Sequence, residues 1–166
     1  NEFSRVQLAK LPTPLQYAQR LSGRLSGPHV WFKRDDLTGL GLGGNKLRKL
    51  EYILAEALDE GADSIITTGG TQSNHARLTA AAARKLGLTP VLVLRGNEPE
   101  FSDGNLLVDK LLGAQLHFVE GKPDEIPGEE VEIAMEKVAS ELREQTKTPY
   151  IIPLGGSIPT GVLGYV

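Results

Sequence analysis

Ser64-Ile65-Ile66-Thr67-Thr68-Gly69-Gly70-Thr71-Gln72-Ser73-Asn74-His75 is the stretch whose reading decides the fold. Ser64–Thr68 is rich in β-branched residues and predicts a strand; from Asn74 to Leu86 an alanine-rich run predicts a helix. Two glycines and a polar turn join them, the pattern of a strand feeding a crossover helix. The same alternation continues outward. Pro90–Leu94 reads as an apolar strand, Gly104–Leu112 as a helix, Gln115–Val119 as a strand, Glu129–Thr146 as a long amphipathic helix and Tyr150–Leu154 as a last strand. Short apolar strands separated by helices pair in parallel, with helices on both faces. The expected class is therefore α/β, a three-layer unit with a parallel sheet of about four strands. The polar loop Gly121–Gly128 carries no assigned chemistry.

Toward the N-terminus the pattern is less regular. Leu11-Pro12-Thr13-Pro14-Leu15 is a stiff extended entry, followed by a helical stretch to about Leu21, and Val30–Lys33 reads as a strand. Asp35 and Asp36 read as partners for Lys33 or Arg34. A loop, Thr38–Gly44, leads into a helix from about Lys46 to Glu60, whose Leu47, Leu50, Leu54, Ala57 and Leu58 share one buried face. The irregular part gives way to the regular one near residues 49–51, so two regions are expected, 1–50 and 51–166.

Bulk properties exclude several classes. The 166 residues carry a net charge of −3, with the basic residues scattered, which does not suit nucleic-acid binding. Cysteine is absent, removing disulfides, thiolate metal sites and cysteine nucleophiles. No apolar run reaches the roughly 18 residues of a membrane span, and the first residues are too polar for a signal peptide. A cytoplasmic protein is expected. Ser157-Ile158-Pro159-Thr160 reads as a helix start, so the expectation is the front portion of a longer polypeptide.

Ligands of parallel sheets bind beyond the carboxyl ends of strands. Three such ends are glycine-rich here: Gly69–Asn74, Arg95-Gly96-Asn97 and Gly155-Gly156-Ser157. The first and third suit a phosphate or carboxylate. Gly39, Gly41 and Gly44 match a dinucleotide fingerprint, but Arg34–Thr38 separates them from the strand and places two carboxylates where a pyrophosphate would lie. A phosphate loop also fails, with Asn45 and Leu47 where lysine and Ser/Thr belong. Lys46 stands in the first turn of its helix, where the dipole and the nearby Arg48 and Lys49 favour a neutral amine fit to attack an aldehyde. Taken alone it could be a solvated lysine, and Lys49 could hold a ligand phosphate or a surface carboxylate. Ser73 is either an N-cap or a reactive hydroxyl. His75 follows Asn74 as a further polar group or a helix-surface imidazole. His29 and His117 are isolated, and no metal site is expected.

Taken together, Pro12–Leu15, Phe32–Asp36, Gly43–Glu51, Gln72–His75 and Tyr150–Ser157 resemble the pyridoxal-phosphate-dependent family of D-cysteine desulfhydrase and 1-aminocyclopropane-1-carboxylate (ACC) deaminase, of the tryptophan-synthase-β-like fold. The resemblance implies pyridoxal 5'-phosphate as cofactor, carried on Lys46 as a Schiff base, with Lys49 at its phosphate and Asn74 at its phenolic oxygen. It implies that Ser73, Asn74 and His75 grip the substrate carboxylate, with Ser73 the nucleophile in the deaminase. Residues 1–50 would belong to the large cofactor-binding domain and 51–166 to the small one, in a homodimer acting on a small amino acid. His75, where the deaminase tends to have glutamine, and the segment Lys33–Thr38 favour the desulfhydrase. Family members are roughly twice this length, so 166 residues alone would have little or no activity. A non-catalytic anion-binding module is the competing reading.

Overall fold

The computed structural model describes residues 3–121 and 128–166; most of the polar loop 121–128 lies outside the described residues. Four strands form the parallel sheet: β3 (Ser64–Gly70), β4 (Thr89–Arg95), β5 (Gln115–Val119) and β6 (Pro149–Ile152), in spatial order β5-β4-β3-β6. A separate antiparallel pair joins β1 (Leu15–Tyr17) to β2 (Trp31–Lys33). The helices are α1 (Gln19–Leu25), α2 (Lys46–Asp59), α3 (Asn74–Lys85), α4 (Gly104–Leu111), α5 (Glu129–Glu144) and the short α6 (Pro159–Val162). The three-layer α/β expectation holds, with α2, α3 and α4 on one face and α5 on the other.

Strand parity explains the layers. Ile65, Leu92, Leu94 and Ile152 point toward α2, α3 and α4, where Leu47, Leu50, Ile53, Leu54 and Leu78 meet them. Ile66, Val91 and Val93 point the other way, onto Val131, Met135, Val138 and Ala139 of α5. Each fully buried aliphatic side chain contributes roughly 1.5–3 kcal/mol. Leu8 and Ala9 join the α2 side of this core. They are tied there by Glu51, only 1 % exposed, which accepts the Leu8 and Ala9 N–H groups at 2.9 and 2.8 Å and pairs with Arg5 at 2.6 Å. Helix α2 runs unbroken through residues 49–51.

Several element bounds differ from the sequence reading. Gln16 and Tyr17, placed there in a helical stretch, continue the extended entry as a strand with Leu15 because the three pair with the distant Trp31–Lys33; tertiary pairing overrides local preference. Strand β3 runs on to Gly70 because its last two residues stay in register with Leu94 and Arg95. Strand β6 stops at Ile152, since Pro153 has no N–H to donate and the chain turns at Gly155. Asp35 pairs with Arg48 at 2.7 Å and accepts from Thr13, rather than serving Lys33 or Arg34; Asp36 does pair with Arg34. No described helix is long and apolar enough to cross a membrane.

Candidate active site

The strand order places a seam at β3 and β6. From β3 the chain moves outward through β4 to β5, then α5 carries it back to the opposite side of β3. The loops leaving β3 and β6 both turn onto the α2–α3 face, the β3 loop into α3 and the β6 turn with Gly156 against Ile53 and His75, so the space between them at the carboxyl ends of the strands is the candidate crevice. Gly69–Gly70 and Gly155–Gly156 stand at those two ends. A Cβ on Gly69 would overlap the Ser73 side chain, so only glycine lets the strand end lie against the helix entry.

On one side of the crevice is α3. Ser73 is extended (φ −69°, ψ 121°), and its Oγ accepts the Ala76 N–H at 3.2 Å, a true N-cap. The Asn74 and His75 N–H groups have first-turn positions and so no intrahelical acceptor. Asn74 is exposed, and its Nδ2 donates to Asn45 Oδ1 at 3.2 Å, joining α3 to the start of α2.

On the other side is the first turn of α2. Lys46 Nζ lies 3.8 Å from where a Cβ on Gly155 would stand. Lys49 Nζ donates to Gly155 O at 3.1 Å and to Ser157 Oγ at 3.0 Å. Arg48, expected to crowd Lys46, instead turns to Asp35. No carboxylate among the described residues pairs with Lys46 or Lys49. Burial and the Lys46 charge both push the Lys49 ammonium below its ordinary pKa. Two amines thus meet at one glycine turn with nothing of opposite sign to offset them.

His75 lies beneath this turn, 3 % exposed, so it is not a helix-surface imidazole. Thr67 donates its hydroxyl hydrogen to Ile152 O at 2.8 Å, and its oxygen stands 2.9 Å from His75 Nε2. That hydroxyl can then only accept, which puts the imidazole proton on Nε2 and leaves Nδ1 a bare acceptor with no partner. Burial above all, with the charges of Lys46 and Lys49, lowers the His75 pKa to about 3. A neutral imidazole edge, 3.6 Å at Cε1 from the Cβ position of Gly156, therefore forms the floor.

The sequence-picked residues Lys46, Lys49, Ser73, Asn74 and His75 all converge on the β3–β6 seam. Thr67, Ser157 and Tyr165 were not among them. Ser157 carried a signal, a Gly-Gly-Ser run matching the serine after Gly69–Gly70; Thr67 and Tyr165 (whose OH donates to Asn45 O at 3.0 Å) carried none. The glycines of the Gly39–Gly44 loop have a packing role. Cβ atoms on Gly41 and Gly44 would come within 2.6 Å of Ala81 and 2.7 Å of Leu78, so these glycines let α3 press on the loop.

The donor set fits a phosphate-bearing aldehyde: two unneutralised amines, one of them available for covalent attachment, beside free N–H groups at a helix start. The family model described as "Pyridoxal-phosphate dependent enzyme" matches residues 6–166. The chain is 50 % identical over its whole length to 48 % of a Pyrococcus abyssi protein named "Putative 1-aminocyclopropane-1-carboxylate deaminase". It is 46 % identical, over 99 % of its length and 49 % of the relative, to a Klebsiella pneumoniae "D-cysteine desulfhydrase". A crystal structure titled as that of an ACC deaminase homologue superposes with TM-score 0.89 at 47 % identity, covering 99 % of this chain and 48 % of that one. The chain spans about half the length of the curated relatives it matches.

Proposed function

The chain belongs to the family of pyridoxal-phosphate-dependent enzymes, and from that premise we propose that its full polypeptide catalyses elimination and deamination of a small amino acid. The specific reading is D-cysteine desulfhydrase: D-cysteine and water give pyruvate, sulfide and ammonia. ACC deaminase is the second reading, favoured by the name of the Pyrococcus relative. In the full polypeptide we assign residues 1–50 to the larger cofactor-binding domain and 51–166 to the small one, the junction falling within α2. A cysteine-free chain fits a reducing compartment such as the cytoplasm; an Arabidopsis relative, 43 % identical, is named as mitochondrial.

The observation that carries the reading is the meeting of Lys46 and Lys49, without carboxylate partners among the described residues, at the Gly155–Ser157 turn. Lys46 is the attachment point and, when its amine is free, the base that moves the substrate α-proton at Nζ. Lys49 holds the cofactor phosphate by charge and through the contacts it already makes with Ser157. The bound cofactor supplies a ring that takes up the electrons released from the substrate α-carbon. Asn74 orients the cofactor, and the first-turn N–H groups of Asn74 and His75 hold the substrate carboxylate. Ser73 Oγ, whose lone pair caps the helix, keeps its hydrogen free to donate into the crevice. The buried His75 side chain contributes the neutral floor, so its share in gripping substrate comes from its backbone.

The deciding experiment is reduction of the full-length protein with borohydride in the presence of pyridoxal phosphate, followed by peptide mass mapping. The label is expected on Lys46; label only on surface lysines would sink the proposal. Assays with D-cysteine, L-cysteine and ACC then separate the two readings.

A further inference from the structure

Arg77 lies one turn beyond Asn74 on α3 and is 6 % exposed. Its Nη2 donates to Gly43 O at 3.2 Å, whereas Nε and Nη1 have no partner among the described residues. An arginine keeps its charge at any pH the fold survives, so burying it is costly unless a counter-charge stands near. Asp109 on α4, 1 % exposed, is the acid whose field acts on it. Burial pushes the Asp109 carboxyl up to about 7 against the pull of Arg77, and its Oδ1 also lacks a partner. Well-packed apolar residues in both positions would often be as stable or more so. No ion pair or hydrogen bond joins the two, so the buried guanidinium calls for a use other than stability.

The use lies at Gly43. This residue is buried with φ +72°, and a Cβ would overlap the Asp36 carbonyl. Its N–H donates to Leu40 O at 2.9 Å, and Arg77 holds its carbonyl. The residue is held through both its N–H and its C=O, and Lys46 follows three residues later. The same face of α3 supplies Asn74 to Asn45 and Leu78 against Gly44. Of these contacts, only that of Arg77 is both charged and buried.

We propose that Arg77 is a positioning residue for Lys46: its guanidinium holds the Gly43 carbonyl and so fixes where α2 begins and where the Lys46 amine is delivered. The proposal rests on Lys46 as the point of cofactor attachment. Its test is the rate at which Lys46 of the full-length apo-protein couples to pyridoxal phosphate, followed by visible absorbance. Arg77→Met should slow coupling by at least about tenfold, as small misplacements of a reacting group do. Arg77→Lys should recover most of that loss, and Met135→Ala, a core lesion under α5, should leave the rate unchanged. Coupling of Arg77→Met at the wild-type rate overturns the proposal, as does equal slowing by Met135→Ala. If Arg77→Met does not fold, Arg77→Gln carries the test, with several-fold slowing expected and a wild-type rate overturning it. A wild-type protein that never couples at Lys46 defeats the parent reading instead, and the two failures are distinguishable.

Discussion

The two faces of the parallel sheet are built from the same strands yet hold different chemistry. Against α5 the buried side chains are mostly apolar: Ile66, Val91, Val93, Val131, Met135 and Ala139, with Ser64 and Thr68 the polar ones on β3. Against α2, α3 and α4 the sheet buries Thr67, His75, Arg77, Thr79, Asp109 and Glu51. Polar groups cost free energy when buried. Their concentration on one face marks where the molecule gives up stability to hold a site, and the other face is what stabilises it.

That contrast can be broken by substitution on each side. The largest effect is expected from Lys46→Ala. It should lower turnover of the full-length enzyme by on the order of 10³-fold or more while moving the urea midpoint little, because the half-buried side chain fills no core position. Residual turnover within tenfold of wild type would refute the division. On the opposite face, Met135→Ala should cost about 2–4 kcal/mol of stability, measured by denaturant titration, with kcat per folded molecule preserved. A fall in kcat would mean that the α5 face also shapes the site.

The pH response sharpens the comparison. The folded pKa of His75, about 3, lies below its unfolded value of 6.5. The unfolded chain therefore binds the extra proton first as pH falls. The stability tied to a neutral His75 is complete above 6.5 and lost progressively toward pH 3, at roughly 1.4 kcal/mol per pH unit. His75→Gln should show a shallower loss between pH 6.5 and 4, and an unchanged slope would place the imidazole in water. The smallest effect belongs to Ser73→Ala, which should cost about 1 kcal/mol as a lost cap and lower turnover further than that cost explains. Equal loss of stability with full turnover would leave Ser73 a cap and nothing more.

Local pattern carried most of the architecture. The alternating strands and helices from Ser64 onward were legible because each is apolar on its own period, and Gln115–Val119 coincides with the observed strand. The β1–β2 pair was not, because Leu15–Tyr17 owes its form to a partner sixteen residues away. Within the site, Lys46 and Ser73 were legible from their position at helix starts. Arg77 and Asp109 were hidden. A charged residue on an amphipathic helix reads as solvent-facing, and only the packing of α3 on the Gly41–Gly44 loop and on α4 buries them. The switch of Asp35 from its neighbours to Arg48 was hidden for the same reason, thirteen residues of separation that only folding closes.

Lys49 meets Ser157 across 108 positions of chain. A ribosome must therefore release β6 and its turn before the amine-bearing helix has anything to close against, and every earlier nascent length exposes an unfinished pocket. Long-range closures of this kind are slow, so during synthesis the Lys49 contact with Ser157 should act as a timestamp, reporting that β6 has joined the sheet.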